Sequence, residues 1–383
     1  MGGPTYYEFF AGGGMARAGL GAGWRCLFAN DFDSAKARAY IDNWGGDHFR
    51  LGDIHKLISG DLPGRADLAW ASFPCQDLSL AGAGRGLQGA RSGAFFGLAS
   101  LIAELRVQGR APKILALENV VGLLTSRGGA DFAALCRALQ NLGYRFGALT
   151  MDAAHFTPQS RPRLFMVAVD RAHDTQLSCA GSAPPAEWAS SALIRAQASL
   201  PPDLAADWVW WRMPPPPLRN AALADLIEPD PRDVEWLDAQ KTARLLDLMA
   251  PLHRARVEAA RAARRTVVGA LYRRTRRDAD GHRAQRAEVR FDGIAGCLRT
   301  PAGGSSRQSI LVIENGAVRA RLLSGREAAR LMGLPEDYRL PKGYTEACHL
   351  LGDGVAAPVV RFLAEHLLEP LAGVRAAPLL AAE

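Results

Sequence analysis

Across the first 170 residues, apolar strand-like runs alternate with helical ones, and this rhythm leaves few folds open. Residues 5–10, 24–29, 68–73, 113–117, 144–151 and 163–169 are apolar and read as strands. Residues 34–44, 93–107 and 130–142 lie between them and carry helical periodicity. Such a succession builds an α/β domain, a mostly parallel sheet covered on both faces. Ligands of these sheets bind beyond the carboxyl ends of the strands, so the chemistry belongs in the residues that follow each strand.

Beyond residue 180 the pattern changes. Proline pairs, Trp208, Trp210, Trp211 and four consecutive prolines at 214–217 break the periodicity and mark the start of a second, smaller domain. The expected division is a first domain over residues 1–178, completed by 345–383, and a second over 179–344. Helical stretches are expected at 234–248, 252–264 and 359–368. Ser324 with Glu327 forms the Ser-x-x-Glu signature of a capped helix over 324–332. There is no internal repeat.

Charge sets the second domain apart. Between Arg254 and Arg307 there are fourteen arginines and no lysine against five acids, a local excess of nine where the whole chain carries +7. A solvated helical face is the plain reading of a charge run. The all-arginine bias favours a polyanion, because guanidinium groups grip phosphate and guanine in bidentate fashion. No apolar run approaches the roughly 20 residues that cross a bilayer, and the first residues lack the pattern of a secretory signal. The six cysteines are scattered, with no CxxC pair. That argues against a zinc or disulfide framework and for a reducing cytosol.

The strand ends supply the chemistry. The first strand runs into Phe10-Ala11-Gly12-Gly13-Gly14, a turn that suits either plain tight packing or close passage of a ligand. The second ends in Asn30-Asp31-Phe32-Asp33, where an acid can take ribose hydroxyls, and Asp53 follows the third. Together they suggest an adenosine-containing cofactor, S-adenosylmethionine as readily as a dinucleotide. The fourth strand ends in Pro74-Cys75-Gln76 before a Gly/Ala-rich loop. A cysteine so placed suits a nucleophile, although a lone cysteine is commonly an inert core residue. Glu118 ends the next apolar strand. It reads either as a structural ion pair or as an acid beside a nucleophile, its proton affinity raised by burial. Gln159-Ser160-Arg161-Pro162-Arg163 precedes the last strand of this region. On extended backbone the two arginines would point the same way, to guard a sheet edge or to hold an anionic or carbonyl-bearing substrate.

In order and approximate spacing, residues 10–14, 30–33, 73–76, 118–120 and Gln159-x-Arg161-x-Arg163 resemble the motifs of the DNA (cytosine-5)-methyltransferases. Residues 321–335 resemble that family's ninth motif and Gly352-Asp353-Gly354-Val355 its tenth. The likeness spans the chain except residues 180–290, where the family keeps its variable target-recognition region. It implies a Rossmann-like methyltransferase sheet that binds S-adenosylmethionine and releases S-adenosylhomocysteine, with no metal. Phe10, Ala11, Gly12, Gly14, Asp31, Phe32, Asp53, Ile54, Pro74, Asp353 and Val355 would hold the cofactor. Cys75 would attack C6 of a cytosine flipped from duplex DNA, Glu118 would meet N3 and the exocyclic amine, and Arg163 would hold O2. Arg161 would position the ring or the catalytic loop. DNA contacts would come from Gln76, Ser79 and Arg85 around the catalytic loop, and from Thr266, Arg273, Arg274, Arg276, Arg277 and Arg307 in the recognition region. The resemblance further implies a monomer of the bacterial cytosol, with no membrane partner and a restriction endonuclease acting on the same site. Two departures stand out. Asp353 replaces the usual Asn, and Met15 follows the glycines where a smaller residue is common. A tRNA cytosine-5 methyltransferase of the same fold is the nearest alternative, and a catalytically silent DNA-binding homologue is another.

Overall fold

The computed structural model describes residues 3–73, 93–173, 179–263, 265–277, 281–300 and 307–374. These form two compact units. The first is Met1–Asp152, Pro162–Pro216 and Val355–Glu383, and the second is Ala153–Arg161 and Pro217–Gly354. The boundaries fall later than 178/179 and 344/345, because residues 180–216 belong with the first unit. There Trp188 and Trp211 are buried, and Trp211 Nε1 donates to the Val167 carbonyl at 3.2 Å.

The first unit is built on seven strands: β1 (Thr5–Phe9), β2 (Arg25–Asp31), β3 (Phe49–Leu51), β4 (Leu68–Ala71), β5 (Ile114–Val120), β6 (Tyr144–Asp152) and β7 (Pro162–Asp170). They lie in the order β3-β2-β1-β4-β5-β7-β6. β7 runs antiparallel to both neighbours, and the other pairs are parallel. The expected α/β architecture is present, with one reversed strand. The strand order changes direction between β1 and β4, which opens a crevice at their carboxyl ends. Helices α1 (Met15–Leu20), α2 (Ser34–Trp44), α3 (Ala94–Val107) and α4 (Ala130–Asn141) connect the strands. α3 buries Phe95, Leu98, Leu101, Ile102 and Leu105, a three-to-four-residue stripe that packs on Tyr7, Phe9, Leu115 and Leu117 of the sheet. The short strands β8 (Ala180–Gly181) and β9 (Trp210–Trp211), with helix α5 (Ser191–Ala198) between them, extend this unit.

The second unit holds an antiparallel sheet that periodicity did not reveal. Its strands are β10 (Val267–Arg277), β11 (Arg283–Arg290), β12 (Ser309–Glu314) and β13 (Ala317–Leu322), in the order β11-β10-β12-β13. Helices α6 (Ala239–Asp247) and α7 (Pro251–Ala262) place Leu245, Met249 and Val257 against Leu271, Val289 and Leu311 of this sheet. Helix α8 (Gly325–Leu331) begins as expected: Ser324 Oγ accepts from Glu327 N–H at 3.0 Å, and Glu327 Oε2 accepts from Ser324 N–H at 2.8 Å. The Glu327 side chain is fully enclosed and also binds Arg321, at 2.7 and 2.6 Å. Helices α9 (Tyr344–Asp353) and α10 (Ala357–Leu363) follow.

The expectation that no apolar segment spans a bilayer meets one candidate among the described residues. Residues 344–371 form a 28-residue stretch long and apolar enough to cross a bilayer. The helix breaks before Ala357, however, and Leu350, Leu351, Val359, Val360 and Leu363 are buried in the protein. In the first unit α10 returns to α1, where a β-carbon on Gly19 would lie 2.4 Å from Val360 Cβ.

The Arg321–Glu327 pair generates a test. Removing one partner of an enclosed ion pair strands the other charge, at a cost of about 3–5 kcal/mol. Glu327→Ala is therefore expected to lower unfolding free energy by about that amount in urea denaturation.

Candidate active site

The turn after β1 is tightly specified. Phe10, Gly12 and Gly14 adopt positive φ of 57°, 55° and 76°. The amides are taken by the neighbouring strand: Ala11 N–H donates to the Asn30 carbonyl at 2.9 Å and Gly12 N–H to Asp31 Oδ2 at 2.8 Å. Asn30 Nδ2 in turn donates to the carbonyls of Arg50 and Gly52, both at 2.9 Å, which ties the ends of β2 and β3 together. The two glycines have different reasons. A β-carbon on Gly14 would sit 2.3 Å from Trp44 Nε1, whereas one on Gly12 would meet nothing within 4 Å. Gly14 thus allows helix packing, and Gly12 leaves open space over the turn.

The groups around this turn fit an adenosine. Phe32 presents an apolar ring that is 69% exposed, beside the register pair Asp31 and Leu51. Asp31 is buried and receives N–H groups from Gly12 and, at 2.9 Å, from Asp33. Its carboxylate has about four acceptor positions, so capacity remains for a hydroxyl. Burial raises its pKa, and the two amide donors oppose that. Asp53 caps a short turn through His55 N–H at 3.0 Å, and Ile54 is buried beside it. Ala11 is buried under the turn, and Val355 is buried elsewhere in the same unit.

At the next strand ends, Glu118 is buried and its Oε1 lies 3.0 Å from Arg163 Nε. The reversal of β7 makes this possible. Its first residues reach the edge where β5 ends, and Val120 pairs with Arg163. Glu118 and Arg163 are therefore diagonal neighbours on one face. Asn119, which motif reading did not single out, donates from Nδ2 to the Phe73 carbonyl at 3.0 Å. That bond fixes the residue just before Pro74-Cys75-Gln76. Pro74, Cys75, Gln76, Ser79 and Arg85 themselves lie outside the described residues, as does loop 301–306.

Arg161 and Arg163 take different partners. Arg161 precedes β7, so strand alternation does not govern it, and it belongs to the second unit. It is 2% exposed, with Nη1 donating to the Leu298 carbonyl at 2.8 Å and Nη2 to those of Gly352 and Gly354 at 2.8 and 2.6 Å. Gln159, fully buried, donates to the Leu331 carbonyl at 2.9 Å and accepts from Leu298 N–H at 3.1 Å. This motif thus straps residues 153–161 into the second unit. Asp353 accepts a hydrogen bond from the Thr300 hydroxyl at Oδ1, a bond that the carbonyl oxygen of an Asn could equally accept. Among the arginines expected on DNA, Arg273, Arg274, Arg276 and Arg277 are exposed on β10. Thr266 is exposed just before it. Arg307 is exposed too; it donates to Thr345 Oγ1 at 2.9 Å and lies over the Tyr344 ring.

A buried polar group lies in the strand leading to the turn. Glu8 of β1 is 1% exposed, and among the described residues neither carboxylate oxygen meets a donor in full hydrogen-bond geometry, although the Arg17 backbone N–H acts to lower its pKa. Arg17 of α1, Asp31 and Cys26 of β2, Tyr6 of β1 and Tyr40 of α2 act on it electrostatically. Arg17 donates to Tyr40 Oη at 3.1 Å and also meets His48 Nε2. Burial pushes the Glu8 carboxyl up to about 8 and the Cys26 thiol up to about 11.

Comparison with known proteins matches this chain to the family described as C-5 cytosine-specific DNA methylase over residues 5–369. It is 24% identical over 367 residues to the Type II methyltransferase M.HhaI of Haemophilus parahaemolyticus, covering 95% of this chain and 94% of that protein. It is 26% identical to the Type II methyltransferase M1.ScrFI of Lactococcus lactis subsp. cremoris, covering 95% of this chain and 78% of that one. The crystal structure of the S. pombe Dnmt2 methyltransferase shares the fold with a TM-score of 0.56 at 17% identity, covering 96% of this chain and 99% of that one.

Glu8 carries a pH signature. Its carboxyl rises from an ordinary 4.5 to about 8 on folding, so the folded state holds a proton that the unfolded chain releases. The stability it contributes is complete below 4.5 and is lost as pH rises towards 8. Glu8→Gln cannot ionise. In urea denaturation across this window, wild type is expected to lose stability relative to the variant. Parallel curves would show that Glu8 is charged and paired.

Proposed function

The chain belongs to the C-5 cytosine-specific DNA methylase family, and on that premise we propose that it methylates a cytosine flipped out of duplex DNA at a specific sequence, through a covalent bond between Cys75 and C6. It is a DNA (cytosine-5)-methyltransferase of an S-adenosylmethionine-dependent family. The bond to C6, base flipping and sequence specificity are the proposal. The observation that carries it is the Glu118–Arg163 pair. A carboxyl and a guanidinium 3.0 Å apart at one strand edge match the N3, exocyclic amine and O2 edge of cytosine.

Phe10, Ala11, Gly12, Gly14, Asp31, Phe32, Asp53 and Ile54 would hold the cofactor, with Pro74, Asp353 and Val355 completing the set. When bound, S-adenosylmethionine supplies an electrophilic methyl group. The residues of the chain prepare the base to receive it. Extrusion of the cytosine costs a few kcal/mol of unstacking. The Cys75 thiolate adds to C6 while Glu118 delivers a proton to N3, so no negative charge accumulates on the ring. Arg163 donates to O2 and fixes the ring plane. The C4–C5 enamine so formed is nucleophilic at C5 and takes the methyl group. A base then removes the C5 proton, the C5–C6 double bond re-forms as Cys75 departs as thiolate, and N3 gives its proton back to Glu118. The loop expected to cover the base, residues 79–89 with Gly82, Gly84, Arg85 and Gly86, lies outside the described residues. Phosphate and base contacts are assigned to the arginine-rich strand β10. The setting is a bacterial cytosol, with the enzyme monomeric and paired with an endonuclease of the same site specificity.

Radiolabelled methyl transfer to duplex DNA, with tRNA in parallel, tests this reading. Wild type is expected to label duplex DNA, and Cys75→Ala to abolish labelling. Glu118→Gln is expected to lower kcat by about 10²–10⁴-fold with DNA binding retained. Label in tRNA alone would transfer the activity to RNA, and none in either would make the fold a silent binder. A duplex bearing 5-fluorocytosine should form a stable adduct with wild type and none with Cys75→Ala, since fluorine cannot leave C5 as a proton does.

A further inference from the structure

The arginine-rich segment is a two-stranded ribbon that leaves the sheet. β10 pairs with β12 only through Val267–Leu271, and from Tyr272 onward its partner is β11 alone. Side chains alternate between the two faces of such a ribbon. One face carries Arg273, Thr275 and Arg277 opposite Ala287, Gln285 and Arg283. The other carries Tyr272, Arg274 and Arg276 opposite Glu288, Arg286 and Ala284.

The two faces differ in how their charge is held. On the second, Glu288 lies 2.7 Å from Arg276 Nε and 3.6 Å from Arg274 Nε, and the Arg274 guanidinium lies over the Tyr272 ring at 5.1 Å. The first face has three arginines and no acid among the described residues. Arg277 and Arg283 stand directly opposite each other on it, an arrangement that costs about 0.2–1 kcal/mol in a free ribbon. The second face has such a rung too, Arg274 opposite Arg286, but there Glu288 lies beside the arginines, whereas the first face has no described acid to offset its charge. Thr275 and Gln285 on the same face supply groups that read base edges.

We propose that the ribbon enters the major groove of duplex DNA with the Arg273–Thr275–Arg277–Arg283–Gln285 face towards the bases and phosphates, and that Glu288 holds Arg274 and Arg276 back as braces of the ribbon. The proposal rests on the reading that this segment meets DNA. The major groove, about 12 Å wide, admits a two-stranded ribbon. An arginine already paired with a carboxylate releases little counterion when it meets a phosphate, whereas an unpaired one contributes fully.

The experiment measures the salt dependence of binding to a 30-bp mixed-sequence duplex, together with sequencing of sites methylated in a randomised duplex pool. Arg273→Ala with Arg277→Ala is expected to reduce the slope of log K against log salt by about 1.8 and to broaden the methylated sequence set. Arg274→Ala with Arg276→Ala is expected to change the slope by less than half as much. Glu288→Gln frees two arginines and is expected to steepen the slope, a gain that misfolding cannot produce. Equal losses from the two double variants, or a slope unmoved by Glu288→Gln, would overturn the assignment of faces. If no variant moves the slope while the 5-fluorocytosine adduct still forms, the ribbon does not touch DNA and the methyltransferase reading stands without it.

Discussion

The first unit's ligand edge depends on how the backbone amides of one turn are satisfied. Three residues between Phe10 and Gly14 hold positive φ, a shape that costs free energy wherever the residue is not glycine. It persists because Asn30 and Asp31 take the amides of Ala11 and Gly12. Those two residues are themselves anchored, Asn30 on the carbonyls of Arg50 and Gly52 and Asp31 on Asp33 N–H. Asp33 then caps α2, which carries Trp44 to the carbonyl of Gly13 at 3.0 Å. The geometry of the turn, the second strand and the second helix is one closed hydrogen-bond circuit.

The reversed β7 does for the acidic site what this circuit does for the turn. In an all-parallel sheet the start of the strand after β5 would lie at the opposite edge from Glu118. Reversal brings Arg163 to it and supplies the partner that a buried carboxylate needs. Glu118 and Arg163 were both legible in the sequence as candidates, but their meeting was not. Strand direction depends on which strands pair, and a single apolar run carries no mark of that.

Other features separate along the same line. Helix α2 was legible to the residue, because Asp33 caps it and its periodicity is local. The capping box at Ser324 was equally plain. The sheet β10–β13 was hidden, because arginines occupy both faces of the ribbon beyond Tyr272 and erase the apolar alternation that marks a strand. Arg161 was recognised by its motif, but its surroundings come from residues 137 to 193 positions away. No local pattern encodes a guanidinium that ends on the carbonyls of Leu298, Gly352 and Gly354.

The contact between Gly19 and Val360 bears on the order in which the protein is made. Arg361 reaches the Leu20 carbonyl across 341 positions, and Trp24 reaches Glu369 across 345. Closing loops of that length is slow relative to local contacts, and during synthesis the first helix leaves the ribosome long before its packing partner. One face of α1 therefore stays wet while the rest of the chain is translated. The turn that α1 follows gains its full support only when residues 357–369 arrive. A nascent chain therefore cannot complete this packing until residues 357–369 have been synthesised.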